Sequence, residues 1–144
     1  MPSPPKAGGT SCAATGLDEL TTTTTSRVWE VRNGRVEEQV VDPQSFGVPR
    51  AEPGALRGGD AVHNAGIGRR VLDGEPGPVR DAVLLNAAAA LVAADPRPAG
   101  RPLPDRLEEA LGRAAEALDA GRAAAVLTRW AEVSRTVAER STGP

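Results

Sequence analysis

The amino-acid sequence predicts a mixed fold of strands and helices, with one β-hairpin followed by about four α-helices. Two short β-rich runs flank an Asn-Gly pair in the first third of the chain, which is the pattern of a tight hairpin. Apolar residues recur at helical spacing through the second half. Aromatic residues make up only 2% of the chain, so the core must come from Ala, Val and Leu, which favours closely packed helices.

The hairpin is predicted from the segments 26–32 and 35–41, joined by Asn33-Gly34. Both residues of the favoured two-residue turn need a positive φ, and Asn and Gly tolerate it best. Pro43 ends the second strand, and residues 43–58 carry three Pro and three Gly. We therefore predict an ordered connection there, without a regular element of its own.

Two helices are predicted next. The first covers about residues 60–72 and ends at Gly74, and the second begins with Pro78 in its first turn and continues to about residue 94. The stretch AVLLNAAAALVAA in the second helix is apolar nearly all round. Such a helix should be buried on several sides.

The last two helices are predicted over about residues 104–120 and 122–138, separated by Gly121. Each has one apolar stripe, formed in the third helix by Leu107, Ala110, Leu111, Ala114 and Leu118, and in the fourth by Ala123, Val126, Leu127, Trp130, Val133 and Val137. Both stripes should pack against a partner surface, with Trp130 as an anchor in the core.

Charge and cysteine content exclude several classes of function. The 17 basic and 19 acidic residues give a net charge of -2, without a run of one sign long enough to attract a phosphate backbone, so nucleic acid is not an expected partner. Cys12 is the single cysteine and His63 the single histidine, so no disulfide framework or Cys/His zinc set can form. These features fit a reducing, cytoplasmic environment.

No membrane partner is expected either, because the longest apolar run, residues 82–94, is too short to span a bilayer. The N-terminus lacks the apolar segment of a signal peptide. Residues 1–15 hold three Pro and two Gly without periodicity. We predict a disordered leader there, and one ordered region over residues 16–144.

Asp18 and Glu19 stand side by side in the segment TGLDELTTTTTS. Adjacent acids in a glycine-flanked loop are most often simply solvated. Hard oxygen ligands on an irregular segment also suit Mg²⁺, which commonly takes one or two carboxylates together with water and substrate phosphates. The residues alone leave both interpretations open.

Other polar residues have simpler structural interpretations. Gly58-Gly59-Asp60 resembles a phosphate-binding turn, but no lysine follows, and Asp60 is better explained as a helix N-cap. His63 is expected to have a surface or packing role rather than that of a general base. Asn64 and Asn86 should bond to nearby backbone, and Arg80 and Asp81 should form a local charge pair.

Six blocks of sequence resemble the C-terminal part of the anthranilate phosphoribosyltransferase family. They are GLDELTTTTTS, the hairpin, FGVPRA, LRGGDAVHNA, VLDGEPGPVRDAVLLNAAAAL and EALDAG, and they span residues 16–138 in the family's order. A single GGD would mean little, whereas six ordered blocks are specific. The resemblance implies an α/β fold, of which this chain is a partial domain. A nucleoside phosphorylase of the same superfamily is an alternative, but TGLDELTTTTTS favours the anthranilate enzyme.

The resemblance implies transfer of the phosphoribosyl group of phosphoribosyl pyrophosphate to anthranilate in tryptophan biosynthesis, with Mg²⁺ and as a homodimer. Asp18 and Glu19 match the family's acidic pair, which helps to hold Mg²⁺ on the substrate diphosphate. Breaking the bond to the diphosphate puts negative charge on the leaving group, which the ion stabilises. These acids are the only metal-binding residues predicted, and no catalytic residue is assigned.

The family's glycine-rich diphosphate loop and its helical dimer-interface domain precede the acidic pair, and neither is present in this sequence. We therefore expect a truncated chain that is inactive alone and whose residues 1–15 are unrelated to the family. The alternative is a non-catalytic remnant or interaction module that lacks the diphosphate loop.

Overall fold

The structure is a computed structural model that describes residues 10–13, 19–32, 34–95 and 100–141. In these residues a three-stranded antiparallel sheet lies beside four α-helices. The strands are β1 (Thr10–Ala13), β2 (Ser26–Arg32) and β3 (Arg35–Val41), with β2 in the centre. The predicted order of a hairpin followed by four helices is confirmed.

The hairpin has the predicted strand bounds, with Arg32 directly opposite Arg35 at its closed end. That register leaves a two-residue turn. Gly34 has a φ of 75°, a conformation that favours glycine because it has no Cβ, while Asn33 lies outside the described residues. The turn chemistry therefore sets the register of the hairpin.

The first strand differs from the expectation of a disordered leader over residues 1–15. Thr10–Ala13 pairs antiparallel with β2, with Thr10 opposite Glu30 and Ala13 opposite Arg27. Pairing with a strand that is already held by β3 supplies the backbone partners that this short segment lacks alone. The other residues of the predicted leader lie outside the described part of the chain.

The helices are α1 (Ala61–Leu72), α2 (Pro78–Ala94), α3 (Leu103–Asp119) and α4 (Arg122–Ser141). Each predicted boundary lies within three residues of the observed one. Glycines with positive φ follow three of the elements, at Gly47, Gly74 and Gly121. Between β3 and α1, a short 3-10 turn (Pro43–Phe46) is capped by Asp42, whose side chain accepts a hydrogen bond from the Gln44 amide at 2.9 Å.

The main core lies where the hairpin, α2 and α3 meet. Its buried members are Leu20, Val28, Val41, Leu85, Ala88, Val92, Leu103, Leu107 and Ala110. A smaller cluster joins α1, α2 and α3 through Val71, Leu84, Ala114 and Leu118. Helix α2 contributes to both clusters, as its nearly all-apolar sequence predicted.

Helix α4 departs from the prediction, since none of its 20 residues is buried. Trp130, expected to anchor the core, is 68% exposed, and that prediction is wrong. The stripe exists, but no described element covers it. None of the described helices combines the length and apolar character needed to cross a membrane.

Candidate functional site

Glu19 lies in the segment between β1 and β2. Glu19 is exposed, and the next residue, Leu20, is 3% exposed and belongs to the main core. Asp18 lies outside the described residues, so the metal-binding role of the pair stays a prediction. The described part of the site therefore consists of Glu19 and the residues that fix the backbone of Leu20.

The loop is anchored by the side-chain amide of Asn86 on α2. Its Oδ1 accepts a hydrogen bond from the Leu20 amide at 2.9 Å, and its Nδ2 donates to the Leu20 carbonyl, also at 2.9 Å. The same Nδ2 donates to the Ala82 carbonyl one turn earlier, at 2.9 Å. One amide thus satisfies both backbone groups of Leu20 and fixes the residue that follows the acidic pair. The prediction that Asn86 bonds to nearby backbone is confirmed.

The hydroxyl-rich run behind Leu20 is folded onto itself. The Thr21 amide donates to Ser26 Oγ at 3.1 Å, and the Thr23 amide donates to Thr21 Oγ1 at 3.1 Å. The Thr22 carbonyl accepts from the Ala51 amide at 3.0 Å. Thr21, Thr22 and Ser26 are each no more than 2% exposed. The hydroxyls of Ser26 and Thr21 thus serve as acceptors for backbone amides ahead of β2, whereas the buried Oγ1 of Thr22 has no hydrogen-bond partner among the described residues.

The donor chemistry of the acidic pair fits Mg²⁺, although the described residues alone do not form a complete metal site. No group of three or more His, Cys, Asp or Glu side chains that could hold a metal occurs among them. Mg²⁺ does not require such a cage, because it keeps several waters and takes substrate phosphates as ligands. The carboxylate of Glu19 could serve as one such ligand, because Asn86 fixes the backbone of the next residue, Leu20.

The Gly58-Gly59-Asp60 segment is a helix start, as its preferred interpretation predicted. The Asp60 carboxylate accepts a hydrogen bond from the His63 amide at 2.8 Å, which is an N-cap. Asn64 accepts from the Gly59 amide at 2.8 Å and donates to its carbonyl at 3.0 Å. His63 is exposed, which favours the surface role over the packing role. Because the Asp60 carboxylate already accepts this hydrogen bond, the first turn of α1 is capped from within the chain.

A charge pair was predicted between Arg80 and Asp81, but the ion pair of Arg80 is with Asp119. Arg80 contacts Asp119 at the end of α3, with Nη1 to Oδ1 at 2.8 Å and Nη2 to Oδ2 at 3.0 Å. Burial raises the pKa of Asp81, and the charge of Arg80 opposes that rise only in part. A contact across 39 residues could not be read from local spacing.

Sequence reasoning missed a buried ionic cluster around Glu30 on β2. Glu30 is 6% exposed, and both of its carboxylate oxygens lie 2.7 Å from Nη2 of Arg106 on α3. Arg32 approaches the same carboxylate from the neighbouring position on β2, with Nε to Oε1 at 2.5 Å. The only signal was an acid on the strand face that carries Val28, and this does not identify a partner 76 residues away.

The cluster keeps Glu30 ionised. Burial by itself would raise the pKa of this carboxyl, but hydrogen bonds from Arg106 and Arg32, together with their positive charges, outweigh it. The pKa of Glu30 is therefore lowered. The ion pair links the centre of the sheet to the first turns of α3.

Comparison with known proteins assigns the family. Residues 8–124 match the model described as "Glycosyl transferase family, a/b domain". This match covers most of the chain, and the chain therefore belongs to that family. The match begins eight residues before the predicted boundary at residue 16, which itself stays a prediction.

Within the family, the similarity is to the anthranilate phosphoribosyltransferases. The chain is 58% identical over 120 residues to the enzyme of Arthrobacter sp. (strain FB24), covering 83% of this chain and 34% of that relative. The crystal structure of the Thermus thermophilus enzyme superposes with a TM-score of 0.70 at 36% identity, covering 85% of this chain and 34% of that one. The resemblance expected from the sequence is confirmed.

A more distant structure supports the fold. The Saccharomyces cerevisiae anthranilate phosphoribosyltransferase, solved in complex with 4-fluoroanthranilate, superposes with a TM-score of 0.66 at 24% identity, covering 78% of this chain and 31% of that one. The chain spans about a third of the length of the curated relatives it matches.

Proposed function

We propose that this chain supplies the metal-binding acidic loop of an anthranilate phosphoribosyltransferase, which transfers phosphoribosyl from phosphoribosyl pyrophosphate to anthranilate in tryptophan biosynthesis. The 58% identity to the Arthrobacter relative supports this assignment. The observation that carries it here is the Asn86 clamp, which fixes the backbone directly behind the acidic pair. Leu20 is buried, and the clamp holds its amide and carbonyl from a residue 66 positions away, which gives the acidic pair a fixed neighbour.

In this proposal Asp18 and Glu19 hold Mg²⁺, in part through water, beside the diphosphate of the substrate. The ion supplies charge neutralisation of the leaving diphosphate. The two carboxylates hold the ion in position and do not act as nucleophiles. Asn86 keeps the loop in one conformation before the substrate binds. Binding therefore carries no free-energy cost for ordering the loop.

We further infer that the chain alone does not turn over substrate. Placing the diphosphate for reaction needs several donors at once, and a small misplacement costs much of the rate. The resemblance assigns most of those donors, and the surface used for homodimer formation, to parts of the family outside this sequence. Cytoplasmic location, and the lack of membrane or nucleic-acid partners, belong to the same proposal.

The test is calorimetric titration of the chain with phosphoribosyl pyrophosphate in the presence and absence of Mg²⁺. We expect binding that requires Mg²⁺ and is weakened at least tenfold in Asp18→Asn/Glu19→Gln. The matched control is Glu108→Gln/Glu132→Gln, which removes the same charge from two exposed helical carboxylates. The control should bind like the unchanged chain.

Two results would count against the proposal. Equal loss in both double variants would mean that only net charge matters. No binding by the unchanged chain at millimolar substrate would favour a remnant or interaction module that does not retain the site.

A further inference from the structure

Helix α4 is partly buried only in its first turn. Ala123 and Ala124 are half-buried, whereas every residue from 125 to 141 is exposed. The apolar residues along this exposed part follow one another at intervals of three or four, and each is more than 50% exposed: Val126, Trp130, Val133 and Val137. This spacing forms one narrow apolar face, of the kind with which a helix lies in a groove of its partner.

A second uncovered apolar surface lies between α2 and α3. A groove of about 720 Å³ opens there, and its lining is apolar apart from Arg113, Glu116 and Arg122. Six of the lining residues are alanines: Ala87, Ala90, Ala94, Ala114, Ala117 and Ala123. Because an alanine side chain is a single methyl group, this groove leaves room for larger side chains of a partner.

The groove and the face of α4 match each other in length and in side-chain size. On α2 the groove extends from Val83 to Ala94, and on α4 the apolar face extends from Val126 to Val137. Each stretch therefore spans roughly 17 Å of helix. Small side chains on one surface and large ones on the other allow the two to interdigitate. The groove thus has the dimensions of the helix face that lacks a partner.

The groove of one chain is left open by its own α4. Arg122 and Ala123, at the start of α4, line one edge of the groove, but the helix is exposed from residue 125 onward. Gly121, with a φ of 71°, forms the junction at which α4 leaves α3. A helix that fills the groove must therefore come from another molecule.

We propose that the chain pairs with a second copy of itself, with α4 of each copy lying in the α2–α3 groove of the other. Such a reciprocal pair has two-fold symmetry and covers both apolar surfaces of both copies. This interface is distinct from the homodimer surface of the family, which the resemblance places outside this sequence.

The size of the two surfaces sets the strength of the pair. Specific interfaces bury at least about 1,200 Å² in total, a limit that is reached when each helix face and each groove bury about 300 Å². Trp130, which is 68% exposed, supplies about 150 Å² of the share of the helix. Because the interface is at the lower limit, the pair is weak. At low micromolar concentration the chain is a monomer, and the exposed residues of α4 then add little to its stability.

The first test is analytical ultracentrifugation of the full chain at roughly 300 µM and roughly 5 µM, since association depends on concentration. We expect the mass of two chains at the high concentration and that of one chain at the low concentration. Trp130→Ala on the helix and Ala90→Glu in the groove should each raise the dissociation constant at least tenfold. The matched control is Ala93→Glu, an exposed alanine of α2 outside the groove lining, and it should associate like the unchanged chain.

Loss of folding would not explain these results, because Trp130 and Ala90 are both exposed. Thermal melting at roughly 5 µM, where the chain is monomeric, checks this, and the variants should melt within a few degrees of the unchanged chain. A chain that stays monomeric at 300 µM, or an equal loss of association in Ala90→Glu and Ala93→Glu, overturns the proposal.

The second test identifies which surfaces meet. In a Cys12→Ser background, chains with Val133→Cys are mixed with chains with Ala90→Cys and oxidised. Both positions lie near the middle of their stretches, so the proposed docking brings them within about one helical turn of each other in either direction. We expect disulfides between the two kinds of chain, identified by mass spectrometry.

Two other products would contradict the proposed docking. Dominant disulfides between two Val133→Cys chains would show that α4 pairs with α4. In a chain that carries both substitutions, a disulfide within the chain would show that α4 closes over its own groove. Either result overturns the reciprocal exchange.

Discussion

Helices α3 and α4 follow each other in the chain and have similar apolar stripes, yet only one of them is packed. Five residues of the 17-residue α3 are buried, whereas none of the 20 residues of α4 is. Helix α3 lies against α2, which is apolar on several sides and can accept neighbours on more than one face. An amphipathic stripe therefore becomes core only where the fold provides a second surface.

The extent of the family match also separates α3 from α4. It ends at residue 124, so that nearly all of α4 lies beyond it, while α3 lies fully within it. Val126, Trp130, Val133 and Val137 are each more than 50% exposed. From the spacing of these residues alone, α3 and α4 would be expected to be equally buried.

The largest expected effect separates these two helices directly. Leu107→Ala removes a 3% exposed side chain from the main core and should lower the free energy of unfolding by about 3 kcal/mol. Val133→Ala, at a 53% exposed position on α4, should change it by less than about 0.5 kcal/mol, because Ala also has the better helix propensity. Urea denaturation measures both. A comparable loss in Val133→Ala that disappears on dilution would mean that a second copy covers α4.

The buried ionic cluster should give the next largest effect. Glu30→Gln leaves Arg106 without its charged partner and should cost about 2 kcal/mol at neutral pH. Glu38→Gln is the matched control, since Glu38 is exposed and bonds Arg27 and Trp29 at the surface. Its cost should stay below about 1 kcal/mol. Equal effects in the two variants would show that the Glu30 cluster adds nothing beyond a surface pair.

The same cluster predicts a pH dependence. Because the pKa of Glu30 is lowered in the fold, its contribution is present above the ordinary glutamate range and is lost as pH falls through the lowered pKa. Asp81 acts in the opposite sense, since its raised pKa stabilises the fold below the ordinary aspartate range and loses that contribution as pH rises through the raised value. Glu30→Gln should therefore reduce the loss of stability between neutral and acidic pH, as followed by thermal melting.

The last prediction compares two asparagines that make the same pair of backbone contacts. Asn86→Ala leaves the amide and carbonyl of Leu20 without partners and should cost about 1–3 kcal/mol. Asn64→Ala removes an equivalent pair from Gly59 at an exposed helix start, where water can replace it. Its cost should be below about 1 kcal/mol. Hydrogen exchange at Leu20 should accelerate only in Asn86→Ala, and unchanged exchange there would mean that the clamp does not hold the loop.

Local features were predictable because their causes are local. Asp60 caps α1 because its short carboxylate reaches the amide three residues later, and Gly34 allows the turn because it lacks a Cβ. The acidic pair could be identified from the segment TGLDELTTTTTS, but not the residue that anchors it. Asn86 is 66 positions from Leu20, and only packing of α2 against the sheet brings them together.

The sequence by itself determined the hairpin, the bounds of the four helices and the family to which the chain belongs. The hairpin and the helix bounds depend on backbone sterics, capping and apolar periodicity, which act over a few residues, and the family assignment depends on the order of its sequence blocks. Only the tertiary structure decided that α3 is buried and α4 is not, that Arg80 pairs with Asp119, and that Glu30 lies beneath two arginines. Each depends on which surfaces meet, and a stripe or a charge in one segment does not specify its partner in another.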